Sequence, residues 1–337
     1  MNFSHKQIRV SREMVVRAAL CLVIGLVTAT SALAQGKVPG EYPTRPIKLV
    51  VPYPPGGGAD TLARLVSKGM ADKLGTPVVI ENKPGGNTAI ASEYVANQPA
   101  DGYTLLYVAT AFVINPSLYK LRYSTENDFT PVGMVARIPL IIVTNKQSPI
   151  HTVKELIAAA KQSPGQISYA TYGTGSPVHL AAELFQVMTD TKLLHVPYKG
   201  SAPGLTDLMG GQVQLAFGSI EPSLLLIRGD KLRPIAVTTS KRIAAAPDVP
   251  TVAESGIPGF EAIGWNGIVA PAKTPPAIIA KLNSVINAVV QEPEMVNTLG
   301  HQGVELDVRT PAEMSTLIHN EIAKWDKIVK QADVKVD

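Results

Sequence analysis

The chain has 337 residues, 45% hydrophobic and 17% charged, enough to bury the core of one large or two medium domains. Its formal charge of +4 is concentrated at the start. Without residues 1–34 the chain holds 27 basic and 26 acidic side chains, a net +1 that gives no reason to expect a nucleic-acid partner. The single cysteine, Cys21, lies in that opening stretch, which excludes disulfides, thiol catalysis and cysteine–zinc sites from everything after it.

Residues 1–34 read as a secretory signal peptide. Lys6, Arg9, Arg12 and Arg17 form a positive segment, Ala18 to Thr30 an apolar one, and Ala32-Leu33-Ala34 a small-residue cleavage site. The apolar run is shorter than the ~20 residues a membrane span needs, and Leu20 before Cys21 is too large for lipoprotein-type cleavage. Export with cleavage after Ala34 is expected.

The first element of the fold is the stretch around which the rest is arranged. Ile47 to Val51 is a short run rich in β-branched residues and predicts a buried strand. Pro54, Pro55, Gly56, Gly57 and Gly58 break it, and Leu62, Leu65, Val66, Met70 and Leu74 then recur at helical spacing. A strand, a glycine loop and a helix N-terminus present unpaired backbone N–H groups and a positive dipole end, which favour an anion. Further strands are predicted at Val78–Glu81 and Tyr103–Ala109, with a second glycine loop at 82–87 and a helix at Thr88–Asn97. This alternation predicts a parallel sheet covered on both faces, with ligands held off the carboxyl ends of its strands. The loops so placed are 53–60, 82–88 and 109–116.

Val132–Asn145 is too long for one ordinary strand and reads as a crossing into a second lobe. That lobe opens with a capping box, Thr152 with Glu155, on a helix to Gln162. Three strands then run into Gly/Ser turns at helix starts. Ile167–Thr171 leads to 173–177, Leu193–Pro197 to 198–203 with a helix at Gly204–Met209, and Val213–Phe217 to 218–222. Ser176 is a good N-cap and Pro177 a good first helical residue for the helix ending near Met188. Strand Leu232–Thr238 closes the series, and a capped turn follows at Thr251–Glu254. Phe260–Ala270 is a natural return crossing, and two helices end the chain, one after Thr274-Pro275-Pro276 and one behind the capping box Thr310–Glu313. Two α/β lobes joined by two crossing segments, with the C-terminal part returning to the first lobe, predict a hinged clamshell.

Enzyme motifs are mostly absent: there is no G-x-S-x-G elbow, H-E-x-x-H or Walker A sequence. Thr61 and Val178 stand where a dinucleotide fingerprint needs its third glycine, which argues against a nucleotide site. None of the histidines pairs with another at metal-ligand spacing, so neither metal nor cofactor is expected. His179 either faces the cleft or packs as a capping histidine, and His195 reads as a core residue. Asp60 either caps its helix, worth a few tenths to ~1 kcal/mol, or belongs to the site. Asn87, Thr110, Asn115, Ser176, Ser201 and Ser219 supply neutral hydrogen-bonding groups in the cleft loops, and Lys199 is the basic side chain there.

The segments YPTRPIKLVVPYPPGGGADTLARL, VVIENKPGGNTAIASEYVA, YATYGTGSPVHLAAELF, HVPYKGSAPGLTDLMGGQV and GWNGIVAPAKTPP resemble the substrate-binding proteins of tripartite tricarboxylate transporters, the Bug family. The resemblance runs from Tyr42 to about Lys330. It implies an α/β, two-lobed type II periplasmic binding protein with parallel or mixed sheets joined by two crossing strands. Lobe 1 would comprise residues 35–139 and 263–337 and lobe 2 residues 140–262. Such a protein captures a small mono-, di- or tricarboxylate and passes it to a membrane transporter, and a monomer is expected. Together with the loop reading, the resemblance implies ligand contacts at Tyr53, Pro55, Gly56, Gly57, Gly58, Asp60, Asn87, Thr88, Thr110 and Asn115 on one lobe. On the other they fall on Gly175, Ser176, His179, Tyr198, Gly200, Ser201 and Ser219. The alternatives are a sensing module and an exported α/β hydrolase or lyase, the latter lacking a recognisable nucleophile–base–orienter set.

Overall fold

The computed structural model describes residues 42–336, so the leader, its cleavage after Ala34 and Cys21 lie outside the described residues. From Arg45 onward the chain forms one compact unit. β1 (Ile47–Val51) is almost wholly buried because helices cover both of its faces. α1 (Gly58–Leu74) buries Leu62, Val66, Met70 and Leu74 on one stripe and ends at Gly75 in the left-handed region. β2 (Val78–Asn82), a 3-10 turn at Gly86–Thr88, α2 (Ala89–Ala96) and β3 (Thr104–Ala109) follow, and β2 and β3 both pair parallel to β1.

The stretch 109–116, expected as a loop, is mostly helix: α3 spans Ala111–Leu118. Residues 111–115 are all buried, so no polar face marks the helix, and Pro116 within it reads as a breaker. Pro116 has no N–H to give the Phe112 carbonyl, and the Thr125 hydroxyl donates to that carbonyl instead, at 3.4 Å.

β4 (Phe129–Asn145) is the long crossing strand. Beyond it stand α4 (Val153–Gln162), β5 (Ser168–Thr171), α5 (Pro177–Thr189), β6 (Leu194–Pro197), α6 (Ser201–Met209), β7 (Leu215–Ser219), α7 (Ile220–Arg228) and β8 (Leu232–Val237). The Thr152–Glu155 capping box and the Ser176 cap form as expected. Two expectations are corrected here. α6 begins at Ser201 rather than Gly204, and the turn expected at 218–222 is the end of β7 and the start of α7. Pro222 lies in the first turn of α7, where its missing N–H would have had no helical partner anyway. β9 (Ile263–Pro271), α8 (Pro276–Val290) and α10 (Pro311–Gln331) match the return crossing and closing helices, but α9 (Pro293–Gly300) and the two-residue β10 (Glu305–Leu306) intervene unexpectedly.

The strands join into one mixed sheet of order β2-β1-β3-β9-β4-β7-β5-β6, with β8 and β10 also paired to β4. β4 changes partners midway. Phe129–Pro139 runs antiparallel to β9, and Leu140–Asn145 lies between β7 and β8. Pro139, unable to donate to a ladder, sits at the changeover. Thr238, fully buried, fastens the second crossing to the first. Its N–H donates to the Leu140 carbonyl at 3.0 Å, its hydroxyl lies 2.5 Å from the Ala262 carbonyl, and the Ala262 N–H returns a bond to its own carbonyl at 2.9 Å. The fold is thus α/β with two lobes built on the two ends of β4. One hydrophobic core continues through both, from Phe112 and Phe129 to Phe185 and Phe217 by way of Trp265.

The β1–α1 loop is pinned by Asp60. This carboxylate, 2% exposed at its side chain, accepts from the Gly56 N–H at 2.9 Å, Arg64 Nε at 2.8 Å and Asn82 Nδ2 at 2.7 Å. The Asn82 amide also donates to the Tyr53 carbonyl at 2.9 Å, tying both ends of the loop to β2. The Arg64 guanidinium, helped by Asn82 and Gly56, holds the Asp60 carboxyl at about 2, below its ordinary 3.8. Asp60→Ala strands the Gly56 N–H and the Asn82 amide and should cost about 1–3 kcal/mol in urea unfolding. Because the folded pKa lies below the unfolded one, Asp60's electrostatic contribution is complete above about pH 4 and is lost as pH falls towards about 2. Asp60→Asn should flatten that part of the acid limb of the stability curve.

Candidate ligand-binding site

β1 and β3 point their carboxyl ends at the second lobe, and β5, β6 and β7 point theirs back, because β4 is parallel to the first pair and antiparallel to β7. The helices that follow therefore aim their N-termini at the space between the lobes. The N-cap of α1 is Gly57, which has no side chain to satisfy the first turn. α6 starts behind Gly200, and α7 behind Ser219, whose hydroxyl makes no cap bond. These three ends retain free first-turn N–H groups and positive dipole ends. α5 differs: the Ser176 hydroxyl accepts from the His179 N–H at 3.3 Å and closes its first turn.

A cavity of about 390 Å³ lies between the N-termini of α1 and α7. Gly56, Gly58 and Thr61 wall it on one side and Ser219 and Glu221 on the other, and Ile138 of β4 and Asn266 of β9 form its floor. Leu299, Gln302 and Val304, from α9 and the segment before β10, close one end. The volume suits a small molecule. Gly56 has φ +86°, a backbone that glycine adopts without strain, and nothing stands within 4 Å of where a Cβ would project. Gly58 likewise opens onto the cavity, its nearest neighbour there being the Glu221 carboxylate.

The structure brings Gly56, Gly58 and Ser219 of the expected residues onto this cavity, with Pro55 and Gly57 exposed in the adjoining loop. Tyr53 is half-buried beneath that loop, and burial pushes its hydroxyl pKa up. Other expected contacts are spent inside the protein. Asp60 holds the loop as described. Asn115, fully buried, accepts from Asn87 Nδ2 at 2.8 Å and donates to the Asn87 carbonyl at 2.6 Å and the Thr88 hydroxyl at 3.2 Å. Thr110 accepts from the Trp265 N–H at 2.9 Å. Tyr198 donates to Asp207 at 2.7 Å; burial first, then that carboxylate, pushes its hydroxyl up to about 12. Ser201 lines a separate small crevice with Tyr172 and Gly218.

Gly175 and His179 answer to packing. A Cβ on Gly175 would come within 2.6 Å of Leu118 Cδ1, so this glycine lets the α5 loop approach α3. His179, 4% exposed, takes the Gly175 N–H on Nδ1 at 3.2 Å and points Nε2 at Glu183, 3.4 Å away. Its burial and partners fit the reading of a packing or capping histidine, with Ser176 as the cap itself. Its ring stacks on His195 at 4.0 Å, and His195, with Nε2 2.6 Å from the Thr171 hydroxyl, is lowered to about 4, first by burial and then by His179. Sequence reasoning missed Glu221, Asn266 and Gln302. Glu221 stands within the stretch 218–222 but is masked by the turn expected there, and no local signal marks the other two. Among the described residues no group of three His, Cys, Asp or Glu side chains is placed to hold a metal ion.

The sequence and fold are similar to those of known proteins. The sequence model described as tripartite tricarboxylate transporter family receptor matches residues 62–334. Protein BugT of Bordetella pertussis is 37% identical over 323 residues, covering 94% of this chain and 98% of that protein. Among solved structures, an R. palustris protein with adipate is 37% identical at a TM-score of 0.77, covering 88% of this chain and 99% of that one. MatC of Rhodopseudomonas palustris, with bound malate, is 31% identical at 0.74, covering 86% and 100%. The periplasmic binding protein BugD is 34% identical at 0.74, covering 87% and 99%. The chain belongs to the tripartite tricarboxylate transporter receptor family, a family of periplasmic solute-binding proteins rather than enzymes.

Proposed function

We propose that this protein is exported, is cleaved after Ala34, captures a small carboxylate between its lobes as a monomer, and delivers it to membrane subunits of a tripartite tricarboxylate-type transporter. The observation that carries the reading is the α1 N-terminus. Its glycine-bounded N–H groups, with no side-chain cap, open onto a cavity whose far wall is a second uncapped N-terminus, that of α7. Two dipole ends and neutral donors stabilise a carboxylate without a buried cation. Family membership supports the transport partner, and the adipate and malate in two relatives support the ligand class. On this reading lobe 1 comprises residues 35–139 and 263–337 and lobe 2 residues 140–262, dividing where β4 changes partners. Ligand contacts come from Gly56, Gly57 and Gly58 on one lobe and Ser219 on the other. Asp60, Asn87, Thr110, Asn115 and Ser176 hold the loops in shape.

The test is a thermal-shift screen of residues 35–337 against mono-, di- and tricarboxylates, amino acids and aromatic acids. A micromolar ligand at millimolar concentration adds ~4 kcal/mol of apparent stability through RT ln(1 + [L]/Kd). A folded, ligand-free protein that no acid shifts would overturn the carboxylate reading. For the acid that binds, Gly58→Leu should leave the unliganded melting temperature nearly unchanged, since position 58 is exposed at a helix start with an ordinary φ. The same substitution should weaken binding at least about tenfold by filling the cavity mouth, which calorimetry reads directly.

A further inference from the structure

The walls of the cavity are neutral with one exception. Thr61, Ser219, Asn266 and Gln302 contribute its uncharged polar groups, and Glu221 is the one ionisable side chain among the described residues that line it. Glu221 belongs to the first turn of α7, yet its carboxylate reaches across to the other lobe. Oε2 lies 3.6 Å from where a Cβ on Gly58 would stand, at the mouth of the α1 N-terminus. No hydrogen bond or ion pair joins that carboxylate to another described residue; its charge is felt by the buried Tyr172 hydroxyl, which burial first and Glu221 in addition push up.

A ligand carboxylate seated on the α1 N–H groups therefore meets a second carboxylate a few ångströms away, with no protein cation on the cavity wall to separate them. Both groups are open to solvent, Glu221 and Gly58 being exposed, yet like charges at that range still repel, and more so as a bound ligand displaces the water between them. A dianion makes the conflict worse, whereas a cationic nitrogen on the carbon next to the ligand carboxylate resolves it by standing between the two anions. Building on the carboxylate reading above, we infer that the cleft selects zwitterionic acids, α-amino acids or acids with a protonated nitrogen beside the carboxylate, and that Glu221 is the residue that receives the cationic group and rejects dicarboxylates. This distinguishes the chain from the relatives solved with adipate and malate, both of which are dicarboxylates.

Matched acids test it: 2-aminobutyrate, butyrate and succinate, and 2-aminohexanoate, hexanoate and adipate, titrated calorimetrically into the wild type and Glu221→Gln. In at least one set the wild type should prefer the amino member at least about tenfold over both others. Glu221→Gln should weaken that member about tenfold while tightening both the unsubstituted acid and the diacid, the diacid more. A wild type that takes the diacid as well as the amino acid, or a Glu221→Gln variant that changes all three alike, would overturn the inference while leaving the carboxylate cleft standing. A role confined to Glu221's own helix dipole would lower the unliganded melting temperature and leave the selectivity unchanged, and that result overturns the inference too. Folded wild type that binds none of the six acids would overturn the inference, whereas the carboxylate reading falls only if the wider acid screen is silent as well.

Discussion

The structure depends on one strand being shared. β4 carries seventeen residues and spends its first part in the sheet of one lobe and its second in that of the other. Everything that faces the cavity inherits its direction from that arrangement, because parallelism with β4 on one side and antiparallelism on the other turn all the relevant strand ends inward. Thr238 secures it. A fully buried hydroxyl beside the Ala262 and Leu140 carbonyls ties the return connection to the outgoing one at the point where Pro139 interrupts the ladder. Buried backbone carbonyls left without a donor would be costly, so the clasp is a requirement of the crossing as well as an ornament of it.

The chemistry of the cavity follows from what its walls lack. Helix ends supply partial positive charge at fixed positions, and the glycines at 56–58 remove side chains that would shield it. The nearby polar side chains are mostly occupied in holding loops: Asp60 and Asn82 under the first, Asn87 with Asn115 under the second, Ser176 with His179 at the third. A site made this way is rigid at its backbone and sparing in its side chains. Few positions are then free to distinguish one ligand from another, and the one charged residue among them has a disproportionate influence.

The sequence made the strand–glycine–helix units legible because strand and helix periodicities meet at an abrupt Pro/Gly boundary. The caps were legible too, since Thr152–Glu155, Thr310–Glu313 and Thr251–Glu254 each need only local spacing. α3 and α7 were not. Both contain proline, at positions 116 and 222, and the first five residues of α3 are all buried, so they show no alternation of polar and apolar faces. The candidate site was legible as a set of loops but not as a set of contacts. Nothing local tells whether Asn115 or Thr110 faces a ligand or a neighbouring backbone 28 or 155 residues away. Gln302 and Asn266 come to the cavity from the far end of the chain, through the return crossing and the unexpected α9–β10 segment.

Neighbouring residues on a strand point to opposite faces, and on β9 this places Trp265 in the core that runs unbroken through both lobes while Asn266 floors the cavity. The crossing is therefore greased on one side and hollow on the other. Any widening of the hollow must pivot about the packed side, like a door hung on one jamb, because parting the lobes there would expose continuous apolar surface to water. The two faces of a single ribbon thereby give the molecule a hollow inside edge and a packed outside one.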